Sequence, residues 1–409
     1  MKKTTNSAFR IPHSALRKGF TTGTCAQAAS KAAVFMLVNK SLIEKVTVET
    51  PKGVRLDINI IDQKIEKDFA ECSVIKDSGD DPDVTNGIKI FARVKYSDKK
   101  GISIRGSEGV GIVTRPGLAV SVGEYAINPI PRQMIIKEID KIMRNAECGV
   151  RNGEKIMRNV ECGVRNDEKN GNSEFRIPNS VFKGIEVIIS IPEGKEIAKQ
   201  TFNARLGIEG GISVIGTTGI VEPRSTDAYK KTLSLQLDVL KAAGYRKAVL
   251  ILGYVGENFC EGKPEFKPDS IVKIGDYAGF MLSECVKKEI EGVLLIGHIS
   301  KMVKIANGQF DTNIRCGDHR IETIVRYAKM CGAQNAAIKD ISEQISAEAC
   351  IDILKKNNLT AVFDMIAKEI VAKVNKMINN QLLINCMVLS LKGELLSEMR
   401  NAECGMEKR

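Results

Sequence analysis

Four apolar runs beyond residue 185, EVIISI, ISVIG, KAVLILG and GVLLIG, restrict the fold more than any other feature. Each is continuous rather than alternating, so each strand needs cover on both faces. Stretches near residues 226–243, 276–290 and 320–331 have the spacing of helices that could supply it. The pattern predicts a three-layer α/β domain over residues 183–396, with a mostly parallel sheet. In such sheets ligands bind outside the carboxyl ends of the strands, which directs the search for chemistry to the loops that follow these runs.

Residues 16–142 have a different rhythm. TTGTCAQAASKAAVFML is an Ala-rich helix with Thr residues able to cap its first turn. KVTVET and VRLDINI flank Pro51-Lys52-Gly53, the chemistry of a hairpin turn. Alternating runs at FAECSVI, IKIFARVKY and ISIRG complete an α+β domain on a mostly antiparallel sheet. The full chain of 409 residues exceeds one ordinary core, in keeping with two domains.

One segment stands apart. KIMRNAECGVRNGE is followed at once by KIMRNVECGVRNDE, the phrase returns as EMRNAECGMEK near the end, and NSAFRIPHS is echoed by NSEFRIPNS. Two tandem copies cannot bury a core as a solenoid does. These polar stretches read as inserted sequence, so residues 1–15, 143–182 and 397–409 are expected to be disordered additions. Removing the insert joins a Pro-started helix, NPIPRQMIIKEIDKI, to the strand IEVIISIPEG.

The charge of +11 favours an anionic partner. No helix-turn-helix spacing, RNP-like aromatic motif or dense Lys/Arg run points to nucleic acid, and a small polycarboxylate or phosphorylated ligand accounts for the balance equally well. The start has basic residues without an apolar stretch behind them, and no apolar run is long enough to span a bilayer, so a cytosolic protein that binds no membrane is expected. Eleven cysteines without a CxxC pair or a Cys/His cluster read as buried or idle thiols, with no metal site.

Several loops could carry chemistry. GSEGVGIVTRPG, residues 106–117, is Gly-dense but lacks the order of a nucleotide loop. Gly216-Thr217-Thr218-Gly219 and Gly253-Tyr254-Val255-Gly256-Glu257 each follow an apolar run and read either as ligand cradles or as tight turns. DSGDDPDVTNG crowds carboxylates, including Asp80, Asp81 and Asp83, which raises a pKa unless cations or NH donors compensate. Of three histidines, His298 falls at the end of a predicted strand, where it could move a proton or serve as a hydrogen-bonded structural group.

Read together, LRKGFTTGTCAQAASKAA, VIKDSGDDPDVTNG, GSEGVGIVTRPGLAVSVGEYAINPIPRQMI, TFNARLGIEGGISVIGTTGIVEPRS and GHISKMVKIANGQFDT resemble, in that order, the motifs of the cobalt-precorrin-5B carbon-1 methyltransferase family. Asn86 stands where that family commonly has His. The resemblance implies S-adenosylmethionine as methyl donor and a cobalt-bearing, carboxylate-rich macrocycle as acceptor, with cobalt arriving inside the substrate. It directs the cofactor to Gly216, Thr217, Thr218, Gly219, Gly253, Gly256 and Glu257, and the macrocycle to Thr21, Thr22, Arg105, Arg115 and Arg132. Asp80, Asp81, Asp83 and His298 are candidate proton carriers. The two strand-end turns are expected to share one pocket, and a homo-oligomer is left open. A phosphotransferase is disfavoured by the absence of a GK[ST] loop; a non-catalytic corrinoid carrier is the rival of a different class.

Overall fold

The computed structural model describes residues 16–152, 184–223 and 225–400. The chain divides into two compact units, 1–225 and 226–409.

The first unit opens with a two-residue strand, β1 (Gly19–Phe20), and helix α1 (Thr22–Asn39). The hairpin β2 (Lys45–Glu49) and β3 (Arg55–Asn59) forms about Pro51–Gly53 as its turn chemistry dictates. A five-stranded sheet follows, built from β4 (Ile61–Ile65), β5 (Phe69–Ile75), β6 (Lys89–Ser97) and β7 (Gly101–Gly106). Short strands β8 (Gly109–Val110) and β9 (Ile112–Val113) lead to helix α2 (Pro129–Asn152). The strand β10 (Gly184–Ser190) then inserts between β6 and β7, giving the order β4-β5-β6-β10-β7, antiparallel except for the β10–β7 pair. Helix α3 (Gly194–Ala198) and strands β11 (Ile208–Glu209), β12 (Gly211–Ile212) and β13 (Ile220–Val221) complete the unit.

Two expectations are corrected here. EVIISI and ISVIG do not belong to the parallel sheet. The first is β10, whose Ile185, Val187 and Ile189 point into the core of the first unit while the residues between are half exposed, the alternation of an antiparallel sheet with one solvated face. The second contributes only Ile212 to β12 before running into a loop. The boundary therefore falls after Ser225 rather than near 183. Parts of the set-aside stretches also belong to regular elements. Helix α2 continues to Asn152, and the last strand reaches Met399; residues 1–15, 153–183 and 401–409 lie outside the described residues.

Almost every residue of α1 is buried, and its small Ala26, Ala28, Ala29, Ala32 and Ala33 let it lie close against β5, β6 and α2. The glycine-dense loops have a similar cause. Gly109 has φ 69°, and a Cβ there would sit 1.7 Å from the Ile191 carbonyl oxygen. Cβ atoms on Gly194 and Gly211 would each lie 2.1 Å from the Gly109 oxygen. Three chain segments thus cross with no room for side chains, so these glycines pack backbone on backbone rather than cradle a ligand.

The loop joining β5 to β6 holds the acidic cluster. Lys76 is 2% exposed, and its ammonium donates to Asp83 Oδ2 at 2.6 Å. Asp83 Oδ1 accepts from Thr85 N (2.9 Å) and Thr85 Oγ1 (2.7 Å). Asn86 Oδ1 accepts from Ser78 N at 2.8 Å. Burial pushes the Asp83 carboxyl up, but the Lys76 and Thr85 hydrogen bonds outweigh it and hold the group below the usual carboxylate range. Asp77, gripped by the Arg17 guanidinium, is held low as well. The repulsion that crowding implies is therefore compensated.

The second unit begins with α4 (Thr226–Ala242), β14 (Lys247–Leu252), α5 (Tyr254–Cys260), β15 (Ile271–Lys273), α6 (Ala278–Lys287), β16 (Gly292–His298) and α7 (Ile299–Ala306). Helices α8 (Arg320–Met330), α9 (Asn335–Ser342), α10 (Cys350–Lys356) and α11 (Ala361–Met377) precede β17 (Leu383–Leu389) and β18 (Leu395–Met399). The sheet order is β15-β14-β16-β17-β18, parallel except for β18. Val249, Ile251, Leu294, Ile296 and Met387 form one core with Val255 of α5. The opposite side chains of the strands face other helices, and Cys386 Sγ donates to the Ala367 carbonyl of α11.

Of the eight cysteines whose side chains are described, six are buried, and burial pushes the Cys260 and Cys350 thiols up to about 11 and those of Cys285 and Cys386 to about 12. They are packed and unreactive, as the sequence implied. No group of metal-binding side chains and no helix long and apolar enough to cross a membrane occurs among the described residues.

Two stability predictions follow from the first unit. Gly109→Ala should cost roughly 3 kcal/mol or more, whereas Gly123→Ala, also at positive φ but with open space around it, should cost about 1 kcal/mol, read from urea unfolding. Asp83→Asn leaves the Lys76 ammonium buried without its counter-charge, a loss of about 3 kcal/mol at neutral pH. Because the folded-state pKa of Asp83 is depressed, this stabilisation is present above the unfolded value of about 3.9 and is lost as pH falls through the lower folded value. The gap between wild type and variant should close in that acidic window, followed by melting temperature against pH.

Candidate functional site

In the first unit, the start of α1 and the turn after β12 are bonded together. Thr21 caps the helix, its Oγ1 accepting from Thr24 N at 3.3 Å, and its own N–H donates to Gly219 O at 3.1 Å. Gly23 N donates to Ile215 O (2.8 Å), and Thr24 Oγ1 to Gly219 O (2.8 Å). Thr22 is buried, accepts from Ile215 N at 2.9 Å and lies within reach of the Ser213 and Ile215 carbonyls. The strands β1 and β13 pair directly beside this junction.

Thr21, Thr22 and the Gly216–Gly219 turn are therefore brought together, but their polar atoms serve each other. A Cβ on Gly216 would lie 2.1 Å from Thr21 Oγ1, and one on Gly219 would lie 2.7 Å from Thr50 Cβ. Both glycines have the conformation and the crowding of a turn packed on its own protein. Thr217 and Thr218 stay exposed at the tip, next to Ile215, which is 49% exposed. Lys52 N donates to Thr218 O at 3.3 Å, and the Lys18 and Lys52 side chains both reach Glu222 just beyond β13. Lys52 and then Lys18 hold the Glu222 carboxyl below its usual range.

The acidic loop adjoins the other side of β1. Phe20 N donates to Asp77 O (2.8 Å), Asp80 exchanges backbone and side-chain bonds with Arg17, and Lys18 bridges Gly79. Asp80 is exposed, Asp81 partly buried, and Asp83 is committed to Lys76 and Thr85. The arginines are not gathered here. Arg132 donates to the carbonyls of Ile127 (2.8 Å), Ile104 (2.9 Å) and Tyr125 (3.5 Å), so its guanidinium is used as internal structure. Arg105 pairs with Glu186 across β7 and β10, and the Arg115 stem covers Gly207.

In the second unit the functional candidates lie at the carboxyl ends of the parallel strands. Gly253, just past β14, has φ 83° and ψ 177°, a region open to glycine almost alone. A Cβ there would meet nothing nearer than Lys301 Nζ at 3.7 Å. Gly256 differs: its Cβ would press on Ile251 and Ile296, so it is a packing glycine. Glu257 pairs with Lys273 at the end of β15. His298, the last residue of β16, caps α7 by accepting from Ser300 N at 3.4 Å, while Nε2 meets Glu348 Oε2 at 2.8 Å. Glu348 also accepts from Leu391 N, just past β17. Both imidazole nitrogens are thus engaged, and His298 clamps loops together rather than presenting a proton to solvent.

Sequence reasoning missed Asp276 and Lys301. Asp276 follows β15 and Lys301 lies in the first turn of α7; they meet at 3.0 Å, with Thr312 Oγ1 donating to the same Asp276 oxygen at 2.8 Å. The signal available was position alone, an acid just after a short apolar strand. A cavity of about 280 Å³ on the same side, walled by Val255, Phe259 and Leu391, is smaller than the roughly 300–1,000 Å³ usual for small-molecule sites and cannot enclose a macrocycle. The two turns expected to share a pocket belong to different units, the Gly216 turn to the first and the Gly253 turn to the second.

Comparison with known proteins places this arrangement. The CbiD family model matches residues 10–223, within the first unit, and the model described as CbiD, C-terminal domain matches residues 311–400, within the second. A protein of Thermoanaerobacter sp. (strain X514) named cobalt-precorrin-5B C(1)-methyltransferase is 35% identical, over 94% of this chain and 95% of its own. A protein of the same name from Photorhabdus laumondii subsp. laumondii is 37% identical, over 88% and 86%. The 1.9 Å crystal structure of a cobalamin biosynthesis protein (cbiD) from Archaeoglobus fulgidus aligns with 29% identity and a TM-score of 0.36, over 78% of this chain and 85% of that one. Matched by a family model over more than half its length and by relatives of one name through both units, the chain belongs to the CbiD family.

Proposed function

We propose that this chain methylates carbon 1 of cobalt-precorrin-5B, giving cobalt-precorrin-6A, in anaerobic cobalamin biosynthesis in the cytosol, with S-adenosylmethionine as donor. The observation that carries the proposal is the match to methyltransferases of that name over nearly the whole chain. The carrier alternative is not supported by these relatives, which are named as methyltransferases. Cobalt enters as part of the substrate.

The donor supplies an electrophilic methyl group on sulfur, and the chain need provide no nucleophile of its own. Its contribution is to hold two ligands in line, which alone lowers a barrier substantially. Of the residues assigned to the donor from sequence, Gly253 fits best, because at a strand's carboxyl end a Cβ there would meet only the Lys301 side chain, at 3.7 Å. Gly216, Gly219, Gly256 and Glu257 are taken up by contacts within the protein. For the macrocycle, Lys18 and Lys52 beside the exposed Thr217 and Thr218 replace Arg132 as carboxylate partners, and Arg115 and Arg105 remain as outlying ones. Asp80 and Asp81 stand as the groups placed to exchange a proton with a bound ligand; Asp83 and His298 act in the fold.

Anaerobic incubation of the purified chain with cobalt-precorrin-5B and methyl-labelled donor should transfer label to the macrocycle, read by mass analysis. Label that never leaves the donor rejects the proposal. Reversing the basic patch with Lys18→Glu and Lys52→Glu together should raise KM for the macrocycle about tenfold, about 1.4 kcal/mol, with little change in kcat. Added salt should shrink the difference between wild type and variant, measured by initial rates at two ionic strengths.

A further inference from the structure

Beyond the glycine turn, the second unit carries a constellation that sequence reading did not assign. Numbering its strands from β14 gives the order 2-1-3-4-5, so the connections from β14 and β16 leave in opposite directions and open a crevice between their carboxyl ends. Gly253 stands on one side of this fork and Lys301 on the other, the lysine ammonium 3.7 Å from where a Gly253 Cβ would lie. Asp276, after the neighbouring β15, holds that ammonium at 3.0 Å through Oδ1.

The carboxylate is fixed from behind. Thr312 Oγ1 donates to Oδ1 at 2.8 Å, and Thr312 N donates to the Asp276 carbonyl at 2.9 Å. Lys304, buried at 5% exposure, donates to Thr312 O at 3.1 Å and so braces the loop that braces the acid. Asp276 Oδ2 takes no hydrogen bond from any described residue. Burial pushes this carboxyl up, but Lys301 and Thr312 outweigh it and keep the group ionised at neutral pH. The fork thus presents an accepting oxygen and a cation side by side. A phosphate would be attracted by Lys301 but repelled by Asp276; a ligand offering hydroxyls to the one and a carboxylate to the other satisfies both.

We propose that Asp276 accepts hydrogen bonds from the ribose hydroxyls, and Lys301 holds the amino-acid carboxylate, of a sulfonium nucleoside bound at the fork between β14 and β16. This assignment rests on the reading of S-adenosylmethionine as donor and gives its two polar ends to two residues that act by binding.

The test is calorimetric titration of the full chain with S-adenosylhomocysteine and with methylthioadenosine, which lacks the amino-acid arm. Lys301→Met should weaken the first about tenfold and leave the second within about twofold. Asp276→Asn, which retains an oxygen for Thr312, should weaken both, and should abolish the wild-type preference for methylthioadenosine over its dideoxyribose analogue. Wild-type affinities in both variants, or an equal loss for both ligands in Lys301→Met, would overturn the assignment while leaving the donor intact. A wild-type chain that binds neither ligand removes the donor reading and the assignment together. Tighter binding of adenosine diphosphate than of S-adenosylhomocysteine would make the fork a phosphate site and also overturn it.

Discussion

The first turn of α1 is the knot on which the first unit closes. Thr21, Thr22, Gly23 and Thr24 take their partners from residues 213–219, almost at the other end of the unit, and β1 and β13 pair alongside. Helix starts leave N–H groups without partners, and here a distant segment supplies carbonyls to them. Everything between, the sheet, the hairpin, α2 and the described chain on both sides of the repeated segment, is enclosed by that closure. The exposed tip it creates is where Lys18, Lys52, Thr217 and Thr218 gather.

The glycines of this protein do two kinds of work that look identical in sequence. Gly109, Gly194, Gly211, Gly216 and Gly219 are required because another part of the chain occupies the space a side chain would fill. Gly253 is required by its backbone angles, while only the flexible Lys301 side chain comes within contact of the space beside it. Only the second kind leaves room for a ligand. A sequence records the absent side chain and not what stands in its place, so the GTTG loop reads as a cradle or as a tight turn, and only the packing shows Gly216 and Gly219 pressed against the chain's own atoms.

Much of the fold was nevertheless legible. The Ala-rich α1, the hairpin at Pro51–Gly53 and the strands KAVLIL and GVLLIGH carry local signals strong enough to survive tertiary context. Strand β10 carried an equally clear signal, but an apolar run does not say which sheet it joins, and its partners β6 and β7 lie far back in the chain. Strand β17 was hidden because Asn385 and Cys386 interrupt its apolar run, though both are buried. The candidate site was less legible still. Arg132 looked like a carboxylate binder and proved to be a bracket for three carbonyls, while the pairing of Asp276 with Lys301 depends on strand order, which no local motif encodes.

His298, Glu348 and the Leu391 amide join the segments that follow β16 and β17 into one piece. Loops at the mouth of a parallel sheet commonly settle only when something binds, and that settling is subtracted from affinity. Here the rim is tied together by bonds within the protein itself. Differences in how tightly related compounds bind at this rim should then reflect their own shape and charge, with little contribution from rearrangement of the walls.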